Sequence, residues 1–434
     1  MIDIRALRED PDAVKAALGR RGVDGAEVDA VIEADAIWRA RQRTAEELRS
    51  EVKALSRDVG LAMKEGDTAR ADELRERSRV LGDEERARAA EAEEAETRVR
   101  TGLLYLPNIP ADDAPDGEGE DDNVEVRRWW PGQDLDRPGP QRLEHQQVPH
   151  WEIGEALQIL DMERGARLSG SMFPLYRGPG ARLLRALTAF AIDRHSPTYE
   201  EIRPPTVVLT DTMISTGHLP KFEDDAYHIE RDDLWLIPTA EVPLTSMHRG
   251  EILEENELPM RFTASTPCYR REAGSAGRDT RGLLRVHEFD KVELFAYTTP
   301  EGALDAQADI LRRGETMLQE LELPYRVLDL CTGDLGGSSA RTFDLEAYSP
   351  GVDRWLEVSS VSWFRDYQAR RANVRFRPAS GGQPQLVHTV NGSALAWPRI
   401  WAALVETGRQ PDGTVVLPEA LAPYLGGELL IKAP

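Results

Sequence analysis

Two cysteines in 434 residues, Cys268 and Cys331, are too few for a disulfide framework, and their separation excludes a CxxC zinc site. A single bridge between them is open in principle, but buried free thiols are the expectation, and no zinc is expected. Long hydrophobic runs are missing as well. No stretch approaches a membrane span, and the N-terminus MIDIRALRED carries no apolar signal region. The expected location is therefore cytoplasmic, with no membrane partner. Positive charge is scarce: 54 Lys and Arg stand against 77 Asp and Glu, a net charge of −23. This excludes a generic nucleic-acid binder, whose affinity comes from neutralising phosphates. Any RNA contact must be local, made by arginines clustered on an acidic background.

Proline is missing between residues 27 and 100, which are rich in Ala, Glu, Arg and Leu. There Trp38, Ala45, Leu48, Val52, Leu55 and Val59 recur at spacings of seven, three and four, a heptad seam. Gly60, Gly66 and Asp67 are expected to interrupt it. A second helical run follows with Leu74, Leu81 and then mainly alanines. Two helices joined by a short turn make an antiparallel hairpin, each reaching about 45–50 Å at ~1.5 Å per residue. By spacing alone the hairpin is a spacer or dimer contact. Ahead of it, DPDAVKAAL reads as a short helix opened by Asp10 and Pro11.

Residues 107–124, rich in proline, glycine and acid, read as a linker and not a packed element. Beyond it, 125–434 changes to short alternating strands, turns and helices such as 181–194, the pattern of an α+β domain. Within it, CYRREAGSAGRDTRGLLRVHEFDKVE (268–293) predicts strand, long mobile loop, strand. Gly274, Gly277 and Gly282 let the backbone approach a ligand, and Arg278, Arg281 and Arg285 suit phosphate. In the second strand His287, Phe289, Lys291, Glu293 and Phe295 share one face. An exposed charged hairpin would be the plain alternative.

That stretch closely resembles motif 2 of the class II aminoacyl-tRNA synthetases, specifically the seryl-tRNA synthetase family. IPTAEVPLT (237–245), EVSS (357–360) and VNGSALAWPR (390–399) resemble further family signatures in the expected order, so the likeness runs along the whole chain. It implies an antiparallel sheet flanked by helices in 125–434, preceded by a tRNA-binding domain over 1–106 that carries the coiled-coil arm. YEEIRPPTVV (199–208) sits at motif 1, which implies a homodimer. The implied reaction is activation of L-serine by ATP with Mg2+, then transfer to tRNA(Ser), and to tRNA(Sec) where present. The arm would hold tRNA(Ser), through arginines outside the seam such as Arg39, Arg43, Arg49, Arg75 and Arg79.

The resemblance also assigns roles. Arg270 matches the arginine that bridges the serine carboxylate and the α-phosphate, two anions that one guanidinium can hold in line. Glu272 matches the glutamate that accepts from the adenine amino group, Phe289 the ring that stacks on adenine, and Arg399 the motif 3 arginine on the other face. Arg271, Arg285, Val286, His287 and Glu288 fall in the same ATP-binding run, as do Glu357, Val358, Ser359 and Ser360. Glu357 and Ser360 match the magnesium positions. Thr239, Ala240 and Glu241, with Glu293, Asn391, Ser393 and Arg270, match the serine-binding positions. A pocket built to hydrogen-bond a hydroxyl rejects analogues lacking it.

Three stretches depart from the family pattern. Val361, Ser362 and Trp363 follow EVSS where Cys-Ser-Asn is usual. Trp397 and Pro398 precede Arg399 where small residues are usual. Residues 334–342, DLGGSSART, lack the usual aromatic-glycine-alanine pattern. Bulky changes there can reshape the pocket. Two other functions stay open on the residues: an amino acid activator that loads a carrier protein, and a non-catalytic RNA-binding homologue. The first would lack the arm, and the second would have lost Arg270, Glu272 or Arg399.

Overall fold

The computed structural model describes residues 1–132, 139–274 and 279–434. They divide into two units, Ile2–Pro107 and Asn108–Pro434, the latter including Met1. In the first, helix α1 (Ile4–Glu9) precedes helix α2 (Pro11–Gly19). Asp10 caps α2 by accepting from the Ala13 N–H at 3.0 Å, and Pro11 sits in its first turn. Only the second of these helices is legible in the sequence, because IRALRE is too short to display a period.

The arm is a pair of helices, α3 (Gly25–Glu65) and α4 (Thr68–Tyr105). At 41 and 38 residues each runs about 60 Å, longer than expected. The expected interruption at Gly60 does not occur. A helix-interior glycine costs only about 1 kcal/mol, which packing along such a helix offsets. The chain turns instead at Gly66, where φ is 77°, and Asp67 caps α4 by accepting from the Arg70 N–H at 3.0 Å. The heptad seam is the inward face. Ala45 and Leu55 are buried, Trp38, Leu48, Val52 and Val59 half-buried, and Ala71, Ala92, Ala95 and Val99 face them from α4. The seam is graded. Toward the turn it narrows to Ala62 and Ala71, while Leu61, Met63 and Val80 stay exposed. At the base Val28, Val31, Val99 and Leu103 are buried, and Asp35 is fixed by Arg8 and Arg39.

The second unit is built on eight strands: β1 (Val124–Trp129), β2 (Glu200–Glu201), β3 (Met260–Tyr269), β4 (Glu288–Thr298), β5 (Tyr325–Asp329), β6 (Arg341–Ser349), β7 (Arg354–Trp363) and β8 (His388–Ala396). Their order is β1-β5-β6-β7-β8-β4-β3-β2, antiparallel throughout except for the short β2–β3 pair. Of the motif 1 stretch, Glu200 and Glu201 pair with β3, and Val207–Leu209 forms a strand in a separate small sheet. Helices α6 (Pro179–His195), α7 (Ala303–Glu320) and α8 (Trp397–Thr407) cover the large sheet, and α5 (His150–Ala156) packs beside α8. Leu183, Leu187, Phe190 and Ala191 of α6, spaced i, i+4, i+7 and i+8, are fully buried in the common core with Ile400 and Trp401 of α8. Each large apolar side chain buried there contributes about 2 kcal/mol.

The stretch expected to be an unpacked linker belongs to this unit from Asn108 onward. The Asn108 side chain donates to the carbonyls of Ser338 and Phe364, and Ala111 and Ala114 are buried. Its polar groups meet those of a neighbouring loop: the Pro115 and Gly117 carbonyls accept from the Thr332 and Gly333 N–H groups, and Asn123 donates to Asp334 and accepts from the Cys331 N–H. Cys268 and Cys331 are buried free thiols, as expected. Among the described residues no helix is long and apolar enough to cross a membrane.

Candidate active site

Strands β4, β7 and β8, the residues just after β3 and the first turn of α8 frame a cavity of about 450 Å3 on one face of the sheet. Strand periodicity explains its floor. Phe289, Lys291 and Glu293 are alternate residues of β4 and all line it, while Val292 and Leu294 point into the core on the other side. In the β4–β8 register Glu293 stands opposite Ser393, which also lines the cavity. Arg270 follows β3 directly, and its guanidinium lies over the Phe289 ring, 5.2 Å from the centroid.

The cations of the cavity are paired with carboxylates, with one exception. Glu272, held at a positive φ of 52°, pairs with Arg285. Lys291 lies 2.5 Å from Glu293, and Arg399 lies 3.6 Å from Glu357 while donating to the Glu357 carbonyl at 2.7 Å. Arg270 donates to the Pro238 carbonyl and has no carboxylate partner among the described residues. It is the cation left for an incoming anion.

At one end lies a small polar triangle. Lys291 Nζ donates to Thr239 Oγ1 at 2.9 Å, and Thr239 Oγ1 donates to Glu293 at 3.0 Å. All three side chains are buried. Beside them Glu241 accepts from Gln368 at 2.6 Å, and Gln368 in turn accepts from Thr389 at 2.7 Å. Burial first, and the nearby Glu293 second, push the Glu241 carboxyl from 4.5 up to about 7. His218, on the cavity wall, is lowered to about 3, by burial first and then by Arg270 and Lys291.

The Glu241 shift has a consequence for stability. Below the unfolded value of 4.5 both states are protonated and nothing is lost. As pH rises toward about 7 the unfolded chain releases this proton and the folded chain keeps it, so stability falls, and it levels off above that. Glu241→Gln is therefore expected to gain on the parent across this window, by on the order of 2–3 kcal/mol at its upper end. Urea unfolding of both proteins at pH 5 and pH 8 checks this; a difference that does not change with pH would contradict it.

Most of the sequence-nominated residues meet here: Thr239, Glu241, Arg270, Glu272, Arg285, Val286, Phe289, Glu293, Glu357, Val358, Ser359, Ser360, Asn391, Ser393 and Arg399 all line the cavity. Four nominated residues do not. Ala240 is buried in a second apolar cluster. Arg271 donates to the Asp224 carbonyl, His287 packs on Phe173 with Nδ1 on the Arg270 carbonyl, and Glu288 is exposed. Gly277 and Arg278 lie outside the described residues. The loop expected to be mobile is packed in its second half, where Leu283, Leu284 and Val286 are buried.

Sequence reasoning missed Lys291, although its place between Phe289 and Glu293 in the alternation marked it. It also missed His218, which arrives on a loop with no period to read, and marked 336–339 only as part of a departure from the family pattern. Of the departures from the family pattern, Ser362, Pro398 and residues 336–339 reach the cavity, whereas Val361 and Trp397 are core residues. Trp363 turns to His388, its indole donating to Nδ1 at 3.3 Å. Pro398 sits in the first turn of α8, where proline suits a helix start, and so helps aim Arg399.

Residues 221–408 match the family model of the tRNA synthetase class II core domain (G, H, P, S and T), and residues 1–110 match that of the seryl-tRNA synthetase N-terminal domain. The serine-tRNA ligase of Gemmatimonas aurantiaca is 48% identical over 435 residues, spanning 99% of this chain and 100% of that one. The serine-tRNA ligase of Roseiflexus sp. is 45% identical over 433 residues, 100% of both. A crystal structure of seryl-tRNA synthetase from Pyrococcus horikoshii complexed with ATP is similar with a TM-score of 0.89 at 37% identity, covering 100% of each chain. With both family models matched and relatives of this identity aligned from end to end, this chain belongs to the seryl-tRNA synthetase family of class II aminoacyl-tRNA synthetases.

Proposed function

We propose that this chain is a serine-tRNA ligase. It activates L-serine with ATP and passes the seryl group to tRNA(Ser), and to tRNA(Sec) where that tRNA is present. The observation that carries the reading is the cavity's division of labour. One arginine with no carboxylate partner among the described residues lies over an aromatic ring, next to a small buried polar pocket. A serine carboxylate oxygen attacks the α-phosphorus, and the bond to the pyrophosphate oxygen breaks. A ribose hydroxyl of the tRNA end then attacks the seryl carbonyl, and AMP leaves. No enzyme nucleophile is needed, so alignment supplies most of the rate.

Arg270 spans the two anions and stabilises the charge that builds between them. Phe289 and Arg399 take the two faces of adenine, and Glu272, paired with Arg285, accepts from its amino group, Arg285 being a further phosphate contact. Glu293, held by Lys291 and Thr239, and Glu241 receive the ammonium and hydroxyl of serine, with the buried Asn391 and Ser393 beside them. Glu357 and Ser360 offer oxygen ligands suited to magnesium. Asp344 stands opposite Ser360 in the β6–β7 register, and its Oδ1 is buried without a hydrogen-bond partner among the described residues. Burial, and then Glu357, raise its carboxyl well above the usual range, which fits a place made for a cation. Magnesium, when bound, offsets the polyphosphate charge.

The test is ATP–pyrophosphate exchange with each of the twenty amino acids, followed by charging of purified tRNA(Ser). Serine alone should drive exchange, and label should then move to the tRNA. Exchange without charging would favour a carrier-protein loader, and no exchange a non-catalytic homologue. The reading includes a homodimer built around residues 199–208, so light scattering of the same preparation should return the mass of two chains.

A further inference from the structure

A buried hydrogen-bonded chain outside the cavity leads to one of its walls. Glu406 of α8 and His150 at the start of α5 are both fully buried. Glu406 Oε1 accepts from the backbone N–H and the Nδ1 of His150, at 2.9 and 2.8 Å. Its Oε2 accepts from the Gly351 N–H at 3.0 Å and from the Ser349 hydroxyl. Four donors thus converge on one carboxylate. On the far side of the imidazole, Nε2 lies 2.8 Å from the N–H of Leu283. A backbone N–H can only donate, so Nε2 accepts and the ring proton sits on Nδ1.

Leu283 belongs to the loop between β3 and β4. Leu283, Leu284 and Arg285 line the cavity, and the Leu284 carbonyl accepts from Arg399 Nε at 3.2 Å. The approach is close. A Cβ on Gly282, where φ is 56°, would come within 2.4 Å of His150 Nε2 and 2.7 Å of the Trp151 ring. Arg281 lies over the same Trp151 ring at 4.9 Å. One end of the loop is therefore seated on α5 through Arg281, Gly282 and Leu283 together.

We propose that His150, held by Glu406, is a positioning residue for the nucleotide half of the site: it fixes the Leu283 N–H and with it the settings of Leu284, Arg285 and Arg399. The serine half, built from Thr239, Glu241, Lys291 and Glu293, hangs on other elements and should be indifferent to it. This inference rests on the function proposed above and extends it to groups that touch no substrate.

The variants are His150→Phe, which keeps a ring and loses the acceptor, and His150→Gln, whose amide oxygen can reach the Nε2 position. In serine-dependent ATP–pyrophosphate exchange, His150→Phe should raise KM for ATP about tenfold to a hundredfold while KM for serine moves less than about twofold. Hydrogen exchange at the Leu283 amide should be slow in the parent, fast in His150→Phe, and slow again in His150→Gln, which should also recover most of the ATP KM. If His150→Phe does not fold, Gly282→Ala takes its place, because its methyl presses on the imidazole, and it should raise the ATP KM alone. Equal rises in both KM values, an unchanged ATP KM in a folded variant, or a His150→Gln protein no better than His150→Phe would each overturn the proposal. A parent chain without exchange activity would refute the function instead, and slow exchange at Leu283 would still report the hydrogen bond.

Discussion

Arg270→Ala is expected to cut serine-dependent ATP–pyrophosphate exchange by about a thousandfold or more while the protein still melts cooperatively near the parent temperature. The reason lies in how the cavity's charges are paired. Arg285 faces Glu272, Lys291 faces Glu293, and Arg399 lies against Glu357. Of the cavity's cations Arg270 alone has no carboxylate partner among the described residues, and the proposed reaction has to bring two anions together. Their repulsion peaks as the new bond forms, so the loss should fall on kcat more than on KM for ATP. Structural damage should be small, because the side chain is half-buried and its hydrogen bond to the Pro238 carbonyl is a long one, 3.4 Å. Steady-state exchange with a thermal melt on the same sample measures both. A variant with near-parental kcat would remove Arg270 from the mechanism.

The second large effect concerns the arm. Removing residues 44–89 and joining the helices by a short glycine-rich turn should leave adenylate formation within a few fold, and should lower charging of tRNA(Ser) by roughly two orders of magnitude or more. Every residue lining the cavity lies at or beyond Gly217, so the first half-reaction loses nothing it uses. The cut leaves the base intact, where Arg8, Asp35 and Arg39 interlock and Arg41 donates to the Glu91 carbonyl. The arginines nominated for RNA are not all idle. Arg39, Arg49, Arg75 and Arg79 pair with Asp35, Glu85, Asp72 and Glu76. The Arg75 and Arg79 pairs are exposed on both sides, and such pairs are weak, so a phosphate can displace the carboxylate there, whereas Asp35 is buried. Arg43 is exposed and has no ion pair among the described residues, which makes it the first arginine to test singly. The contact should weaken steeply with salt. Undiminished charging by the shortened chain would reduce the arm to a spacer.

How far such sites can be read from a sequence depends on what carries the information. Alternation along a strand is local, so Phe289 and Glu293 could be placed on one face, and Lys291 should have been. The same rule explains the excess in the nominated list. Glu288 adjoins Phe289 and so faces away, and a continuous run of ATP contacts across a strand boundary ignores the pleat. His218 and residues 336–339 reach the cavity from loops whose path is set by distant packing, and no local pattern encodes that. In the arm, the propensity of Gly60 alone predicts a stop, while the seam residues on both sides of it outweigh one glycine. The linker looked unpacked because proline and acid usually mean exposure, yet its polar groups are spent on the Cys331 and Ser338 region.

The narrowing of the arm's seam sets where the hairpin yields. Near the turn the helices touch through alanines, which bury little apolar surface, and near the base through valines and leucine. Opening free energy therefore rises from tip to base, and the hairpin unzips from one end as a graded element without a single melting step. A rod with a soft tip and a stiff root can comply with a curved partner at its far end while keeping its direction where it is rooted. Its conformational entropy is held in reserve at the tip, available to be spent when a large ligand closes against it.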